Sequence, residues 1–352
     1  MHTKIKIMFI IIASEGIRMA TIRDVGKLAG VSVATVSRVI NKKGYVSKEK
    51  EEAILKAIEM LDYTPSDVAR RLAGKKSKTI GLIIPDILNP FFPEIARAVE
   101  DSANDIGYSV ILCNTDNDIS KEGQYFDMLI NKQVDGVIIS SYATNPDALL
   151  KVINKGMPVV LIDNEFEGYN IPTVTSNNKI GGRLATEHLI ECGCKKIAHI
   201  TGNLNIKSIK DRYDGYQETC LEKGIYYPNI LETTELTLKN GYDKTKEILS
   251  ENKDVDGIFA GTDILAIGCY KALTDMGYKI PEDIKLIGYD GLTANTDYLS
   301  LSSVSQQIYA FGKLAVEVLY NKIEGNISEN DNFKLNVGLV ERKSTVGTEK
   351  YE

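Results

Sequence analysis

Thr21–Asn41, TIRDVGKLAGVSVATVSRVIN, is the stretch on which the fold of this chain is decided. Ile22, Val25 and Leu28 fall on one helical face, Gly30 interrupts the pattern, and Val36 and Val39 resume it. That spacing describes two short helices joined by a tight turn. Thr21 with Asp24 three residues on makes a capping pair for the first helix, and Ser32 an N-cap for the second, because side-chain oxygens there satisfy amides that a first turn leaves open. The second helix presents Val33, Ala34, Thr35, Ser37 and Arg38 outward. Small and hydroxyl side chains let a helix enter a DNA major groove, where an arginine reaches a guanine edge or a phosphate. A plain helical hairpin shows the same spacing, so the stretch points to DNA without settling it.

Charge sharpens the choice. The 352-residue chain has a formal charge of −6, yet Met19–Lys78 holds 13 Lys+Arg against 7 Asp+Glu, and Thr79–Glu352 holds 26 against 40. A basic head of +6 on an acidic body of −14 is the footprint of a phosphate binder whose contact is confined to the head. The length allows two or three domains. Five cysteines without a CxxC pair, with three scattered histidines, argue against a disulfide framework and a metal site, leaving reduced thiols. Cys192 and Cys194 fall in a helix-to-strand turn. GxSxG, GxxxxGK[ST] and GxGxxG motifs are all absent, so no catalytic residue and no cofactor is expected. A ligand-capture protein of transport lineage is the remaining rival, and the basic head argues against it.

Ser47–Leu61 spaces Ala53, Ile54, Ala57, Ile58 and Leu61 as a third helix that closes the head. Next, YTPSDVARRLAGKKSKT starts a helix at Pro65 and ends it at Gly74. A helix of about two turns is marginal alone. Arg70, Arg71, Lys75 and Lys76 around Leu72 suit phosphates with Leu72 as a minor-groove wedge; a flexible basic linker is the alternative.

From Thr79 the pattern changes to βα units. TIGLIIPD, YSVILCNTD, VDGVIISS and MPVVLIDN read as buried parallel strands, and KIAHITGN, the weaker YPNILETTE, VDGIFAGTD and IKLIGYD repeat the series. Two α/β lobes in tandem enclose a cleft at the carboxyl ends of their strands. There the polar and aromatic residues gather: Asn89, Phe91, Phe92, Ser140 and Asp163 in the first lobe, Arg212, Thr262, Asp263 and Asp290 in the second, and Gln306 at the crossover. Carboxylates, an amide and an arginine suit a ring of hydroxyls, and phenylalanine faces suit the C–H surface of a sugar. Each has a plainer role too, the aspartates as helix caps and Phe91–Phe92 as core.

VSVATVSRVIN, PSDVARRLAGKKS, GLIIPDILNPFF, VDGVII, GTDILAIG and LIGYDG, in this order and spacing, resemble the LacI/GalR family of bacterial repressors from Met19 to about Val346. The body is similar to periplasmic sugar-binding proteins, and the general likeness is to ribose and purine repressors and the catabolite control protein. The resemblance implies an α/β protein: an all-α helix-turn-helix head and a two-lobed, doubly wound parallel-sheet body. Expected divisions are 19–64 for the head, 65–78 for a hinge helix and linker, and 79–352 for the effector domain. Its N-lobe spans about 79–177 plus 307–336, and its C-lobe about 178–306 plus 337–346. The implied partners are a pseudo-palindromic double-stranded operator, a second copy of the chain, and a small-molecule effector, by the family's preference a sugar; no membrane is implied, and the compartment is the cytoplasm. Val33, Ala34 and Arg38 match base-reading positions, and Thr21, Thr35, Ser37 and Asn41 match phosphate-contact positions. Ser32, Tyr63, Ala69 and the wedge Leu72 complete the DNA set. Asn89, Phe92, Asp163, Arg212, Asp290 and Gln306 match effector-contacting positions.

Departures from the family pattern bear on the effector. Leu236 stands where sugar-binding relatives often carry an aromatic residue, Thr262 where many carry Asn, and Asn164 replaces an Arg of ribose-binding proteins, all of which tell against ribose itself. DYLSLSSVSQQ before the crossover lacks the usual proline, and no basic residue occurs from Thr293 to Gln307. That weakens the alternative of a catabolite-control regulator docking a phosphoprotein corepressor; a purine-responsive repressor is the other alternative. No leucine heptad follows Val346, so a dimer is expected rather than a tetramer.

Residues 1–18, MHTKIKIMFIIIASEGIR, have a basic start and a short apolar run that superficially resembles a signal peptide. A DNA reader has no use for export, so Met19 is expected to be the initiator and 1–18 a non-native extension. Intact mass of the product of the native gene checks this: a species starting at Met19 is expected, and one retaining Met1 refutes it.

Overall fold

A computed structural model of the chain describes residues 20–40, 44–63, 76–141, 145–166, 169–225, 230–292, 299–326 and 332–347. The expectations for residues 1–18, for Asn41, and for Ala69 and Leu72 of the hinge lie outside the described residues. The contacts divide the chain into two units, one ending at Ser77 and one starting at Lys78.

The head contains α1 (Ile22–Ala29), α2 (Val33–Ile40) and α3 (Lys48–Met60). Thr21 donates to Asp24 Oδ2 from its backbone N at 2.8 Å and from Oγ1 at 2.6 Å, which fixes the start of α1. Gly30, at φ 65, ends it in the left-handed turn that glycine adopts without a Cβ penalty. Ser32 Oγ accepts from Thr35 N at 3.3 Å at the start of α2. Val25, Val36, Ile54, Ala57 and Tyr63 form the core. Tyr63, read as a DNA contact, is only 7% exposed and closes this core, and burial pushes its phenol pKa up. Leu28 departs from expectation: it is 48% exposed. The buried stripe runs through Ile22, Val25 and Ala29, three and then four residues apart, and a second step of three carries Leu28 off it.

The first lobe of the body begins with β1 (Thr79–Ile84), α4 (Phe91–Asp105), β2 (Ser109–Asn114), α5 (Ile119–Lys132) and β3 (Gly136–Ile139). It continues through α6 (Pro146–Asn154), β4 (Val159–Ile162) and β5 (Thr173–Ser176). The second lobe has α7 (Asn178–Glu191), β6 (Ile197–Thr201), α8 (Lys207–Lys223), β7 (Ile230–Glu232), α9 (Leu238–Glu251) and β8 (Gly257–Ala260). Next come α10 (Asp263–Asp275), β9 (Lys285–Asp290) and β10 (Ser302–Ser305), then α11 (Ile308–Glu324), β11 (Phe333–Leu335), β12 (Gly338–Val340) and α12 (Lys343–Val346). Two six-stranded sheets result, in the orders β11-β5-β4-β3-β1-β2 and β12-β10-β9-β8-β6-β7. All pairings are parallel except β10 with β12. The eight strands read from apolar runs are present, the weak YPNILETTE contributing Ile230–Glu232 among the described residues. The hydroxyl-rich β5 (TVTS) and β10 (SSVS), and the three-residue β11 and β12, carry no apolar run to announce them. The chain passes between the sheets after β5, after β10 and between β11 and β12.

Backbone-to-backbone helix packing shapes the second lobe. A Cβ on Gly182 of α7 would lie 2.0 Å from Arg212 O of α8, and one on Gly215 of α8 would lie 2.1 Å from Lys179 O of α7. α9 and α10 repeat the device through Gly241 and Gly268, whose added Cβ atoms would lie 2.2 Å and 2.1 Å from Leu265 O and Leu238 O. The first pair brings Asn178 and Arg212 within hydrogen-bond reach of each other. Gly215→Ala is expected to cost about 1–3 kcal/mol, the usual toll of overpacking a tight contact; urea unfolding of the variant measures it, and unchanged stability would show that α7 and α8 can part freely.

Candidate functional site

Asp163 and Asp290 stand at the carboxyl ends of β4 and β9, one in each lobe, with φ of 52° and 121°. Gln307, opening α11 after the second crossing, has φ 55°. Left-handed backbone at residues other than glycine persists only where the surroundings hold it, and such positions gather at ligand sites.

Arg212, on the second turn of α8 and 4% exposed, is the centre of this arrangement. Its Nε donates to Asn178 Oδ1 and its Nη1 to Gly261 O, both at 2.8 Å. Its guanidinium lies 3.9 Å from the ring centroid of Tyr289. Asp163 at 3.7 Å and Asp290 at 3.6 Å are within ion-pair range but beyond good hydrogen-bond length. Asn178 Nδ2 donates to Asp163 Oδ1 at 3.2 Å. From β5, Ser176 Oγ donates to Gln306 Oε1 at 2.7 Å, and Gln306 Nε2 donates to Asp290 Oδ1 at 2.6 Å. One polar network thus joins the end of the first lobe's sheet to the end of the second's.

Burial sets the electrostatics. It raises the pKa of Asp163, although Arg212, Asn178 and Ser208 pull the other way. It pushes Asp290 up to about 7, again against Arg212 and Gln306. Below the network, His199 is fully buried and stacks on Phe259 and Tyr216 at centroid distances of 4.4 and 5.0 Å. Burial lowers its pKa to about 4, so the ring is neutral, and its Nδ1–H donates to Phe259 O at 2.9 Å. It serves as an aromatic slab beneath the site.

Phe91, Asp163, Ser208, Ile209, Arg212, Leu236, Thr262 and Asp290 line a cavity of about 10 Å³, room for about one water. A second chamber of about 10 Å³ adjoins it at Asp163 and Ser208 and runs past Asn178 to Lys207 and Lys334. Five of the ten cleft residues read from the sequence therefore meet on one cavity. Phe92 instead packs into the first lobe's core, 1% exposed, with its ring edge-on to Phe91 at 5.2 Å. Asn89 Oδ1 accepts from Phe91 N at 3.2 Å and so caps α4. Thr262 both lines the cavity and caps α10, accepting from Leu265 N at 3.4 Å. Ser140 is buried after β3 with its N bonded to Ile83 O, and Gln306 works behind Asp290. Sequence reasoning passed over Asn178, Ser208 and Ile209. Ser208 was detectable, since it lies four residues before Arg212 and so on the same face of one helix.

On the head, Ser32, Val33, Ala34 and Arg38 are exposed, while Thr35 and Ser37 are half-buried. Among the described residues no cluster of His, Cys, Asp or Glu could hold a metal ion, all five cysteines are free, and no helix is long and apolar enough to cross a membrane.

A helix-turn-helix with an open second helix, ahead of two Rossmann-like lobes that close on a polar cleft, defines a DNA-binding regulator with a ligand-binding body. Family models agree: residues 21–66 match bacterial regulatory proteins of the lacI family, and residues 77–343 match periplasmic binding proteins and the sugar-binding domain of the LacI family. The chain belongs to the LacI family. It is 46% identical to the ribose operon repressor of Halalkalibacterium halodurans, over 95% of this chain and 99% of that one. It is 37% identical to the transcriptional repressor PurR of Haemophilus influenzae, over 93% and 98% of the two chains. Among solved structures, the lac repressor dimer bound to operator and the anti-inducer ONPF superposes with a TM-score of 0.84 at 27% identity, covering 94% of this chain and all of that one. A LacI-type regulator from Alkaliphilus metalliredigens in complex with D-xylulofuranose superposes with a TM-score of 0.68 at 34% identity, covering 76% of this chain and 99% of that one.

Arg212→Met keeps the bulk of the side chain but leaves Asp163 and Asp290 without their cation. Removing one partner of a buried ionic group costs about 3–5 kcal/mol. The loss is expected to be smaller at pH 5 than at pH 8, because Asp290, which titrates near 7, takes up a proton at the lower pH. Chemical unfolding at both pH values checks this, and an equal loss at the two would contradict it.

Proposed function

We propose that this chain is a homodimeric transcriptional repressor of sugar utilisation. Its head reads a pseudo-palindromic operator through α2, with Val33, Ala34 and Arg38 at base edges and Thr21, Ser32, Thr35, Ser37 and Asn41 on the backbone. Its body binds an uncharged sugar between the lobes. It acts on DNA in the cytoplasm and turns over no substrate.

The observation that carries this reading is the Asp163–Arg212–Asp290 constellation, buried between the lobes of a chain with an open helix-turn-helix face. Two carboxylates and two amides supply acceptors and donors for paired hydrogen bonds to adjacent hydroxyls. Phe91, Ile209 and Leu236 line the same cavity and suit the C–H face of a ring. A phosphate would face two carboxylates with one guanidinium already shared between them, which favours the unphosphorylated sugar. The likeness to a ribose operon repressor and to a regulator complexed with a ketopentose supports a small free sugar. The PurR relatives support a purine as the second candidate.

A cavity of about 10 Å³ is smaller than any sugar ring, so entry requires the lobes to part and the ligand then sets the angle at which they meet. A ligand that prefers one angle shifts the population toward it. In a dimer that angle sets the spacing of the two heads. A coupling of about 1–3 kcal/mol changes operator affinity by roughly 5- to 150-fold.

Two measurements test this. A thermal-shift screen of the whole chain against pentoses, hexoses, their phosphates and purines should raise the melting temperature only with a free sugar, since a ligand that binds the native state stabilises it by mass action. The same sugar should weaken operator binding; a stabilising ligand found only among phosphates or purines would overturn the sugar assignment. Arg38→Ala should reduce operator affinity by about 10- to 100-fold, the worth of one good base contact, and leave the sugar-induced shift unchanged. Unaltered operator affinity would remove Arg38 from the reading face.

A further inference from the structure

Asp263 is the first residue of α10, fully buried, and outside the lining of the cavity. Its Oδ2 accepts from Leu292 N at 2.8 Å and its Oδ1 from Ser303 Oγ at 2.7 Å. The Gly291 amide donates to Ser303 Oγ at 3.1 Å, the same hydroxyl that donates to Asp263. One side chain therefore holds both the backbone that leaves β9 and the strand β10 that leads to the second crossing. The Asp263 amide in turn faces the Asp290 carboxylate and favours its charged form. A Cβ at residue 288 would lie 2.1 Å from Asp263 Oδ1, so only glycine on β9 leaves room for this carboxylate. Asp290, at φ 121°, depends on these clasps for a backbone conformation that a side-chain-bearing residue rarely adopts.

We propose that Asp263 is the positioning residue of the cleft: it holds Asp290 in its left-handed turn, aimed at the ligand, and shares one proton with it. This rests on the assignment of Asp290 to the effector site. The shared proton follows from counting charge. Asp163 from the end of β4, Arg212 from α8 and Asp263 from α10 are the charged groups that face Asp290, and Gln306 is the neutral partner on its remaining side. Asp263 faces Asp290 and otherwise neutral donors. Three buried carboxylates against one guanidinium leave two uncompensated charges, which low-dielectric surroundings resist by retaining a proton. Closely coupled carboxylates titrate as a pair rather than singly. Burial and the neighbouring Asp290 both act to hold Asp263 well above the usual carboxylate range.

The test is ligand-free and uses the whole chain, so it stands whether or not a sugar binds. A carboxyl group whose pKa is raised on folding keeps its proton in the native state after the unfolded chain has lost it. The contribution of Asp290 therefore falls as pH rises from the ordinary carboxylate range to about 7, and that of Asp263 falls in the same direction. Asp163, also raised by burial, adds a slope of the same sign in every variant and cancels on comparison. Asp263→Asn keeps an oxygen for Leu292 N and an NH2 for the Ser303 hydroxyl, but removes the charge. The pH at which the decline levels out should move down by about one unit. Ser303→Ala removes one donor to the carboxylate and should move it up. Melting temperature against pH for the wild type and both variants reads these shifts. Opposite displacements support the proposal, since a purely structural loss would lower stability equally at every pH. Profiles parallel to that of the wild type, in either variant, overturn it.

Discussion

The Arg212 guanidinium is the interaction on which the site depends. It enters a water-poor space because its hydrogen bonds are made to a backbone carbonyl, Gly261 O, and a neutral amide, Asn178, with the Tyr289 ring against its face. Those fixed partners leave its charge directed at Asp163 and Asp290 without consuming the carboxylates' acceptor capacity. A direct bidentate pair would satisfy both groups and leave little for a ligand to bind. The distances of 3.6 and 3.7 Å keep the acids ionisable and available for hydroxyl groups.

That arrangement explains why the polar residues lie where they do. Asn178 faces Asp163 and Arg212 from the start of α7, directly after the first crossing. Gln306, just before the second crossing, binds Ser176 beside the first. The network proposed to hold the ligand is therefore built from the segments that join the lobes, so contacts made there bear on the angle between them. Sub-ångström adjustments at such a place are passed on because packed cores do not deform gradually.

Much of this was legible in the sequence because apolar runs and strand-end residues follow simple periods. VDGVIISS and VDGIFAGTD announce buried strands, and aspartates at strand ends mark the cleft. The strands TVTS and SSVS were not legible, since they are buried by pairing on both sides and hold their hydroxyls by hydrogen bonds such as Ser303 Oγ to Asp263 and Ser176 Oγ to Gln306. Pattern reading credits burial to apolar residues, and these have few. Leu28 shows the complementary failure: one residue's rotation along a helix separates a core from solvent, and local spacing resolves that poorly; for the same reason spacing left Phe92 open between cavity wall and core, and it lies in the core. Asn178 and Ser208 acquire meaning only once two helices meet face to face.

The glycine contacts of the second lobe, Gly182 and Gly215 between one helix pair and Gly241 and Gly268 between the next, make it behave as a lever rather than a spring. Where main chain presses on main chain between these paired helices, no side chain intervenes to absorb a displacement by changing rotamers. A push delivered at Arg212, whose own carbonyl is one of those contact points, turns the lobe as a solid piece. Work done by a small molecule at the cleft then arrives at the far end of the lobe as rotation, with little of it dissipated along the way.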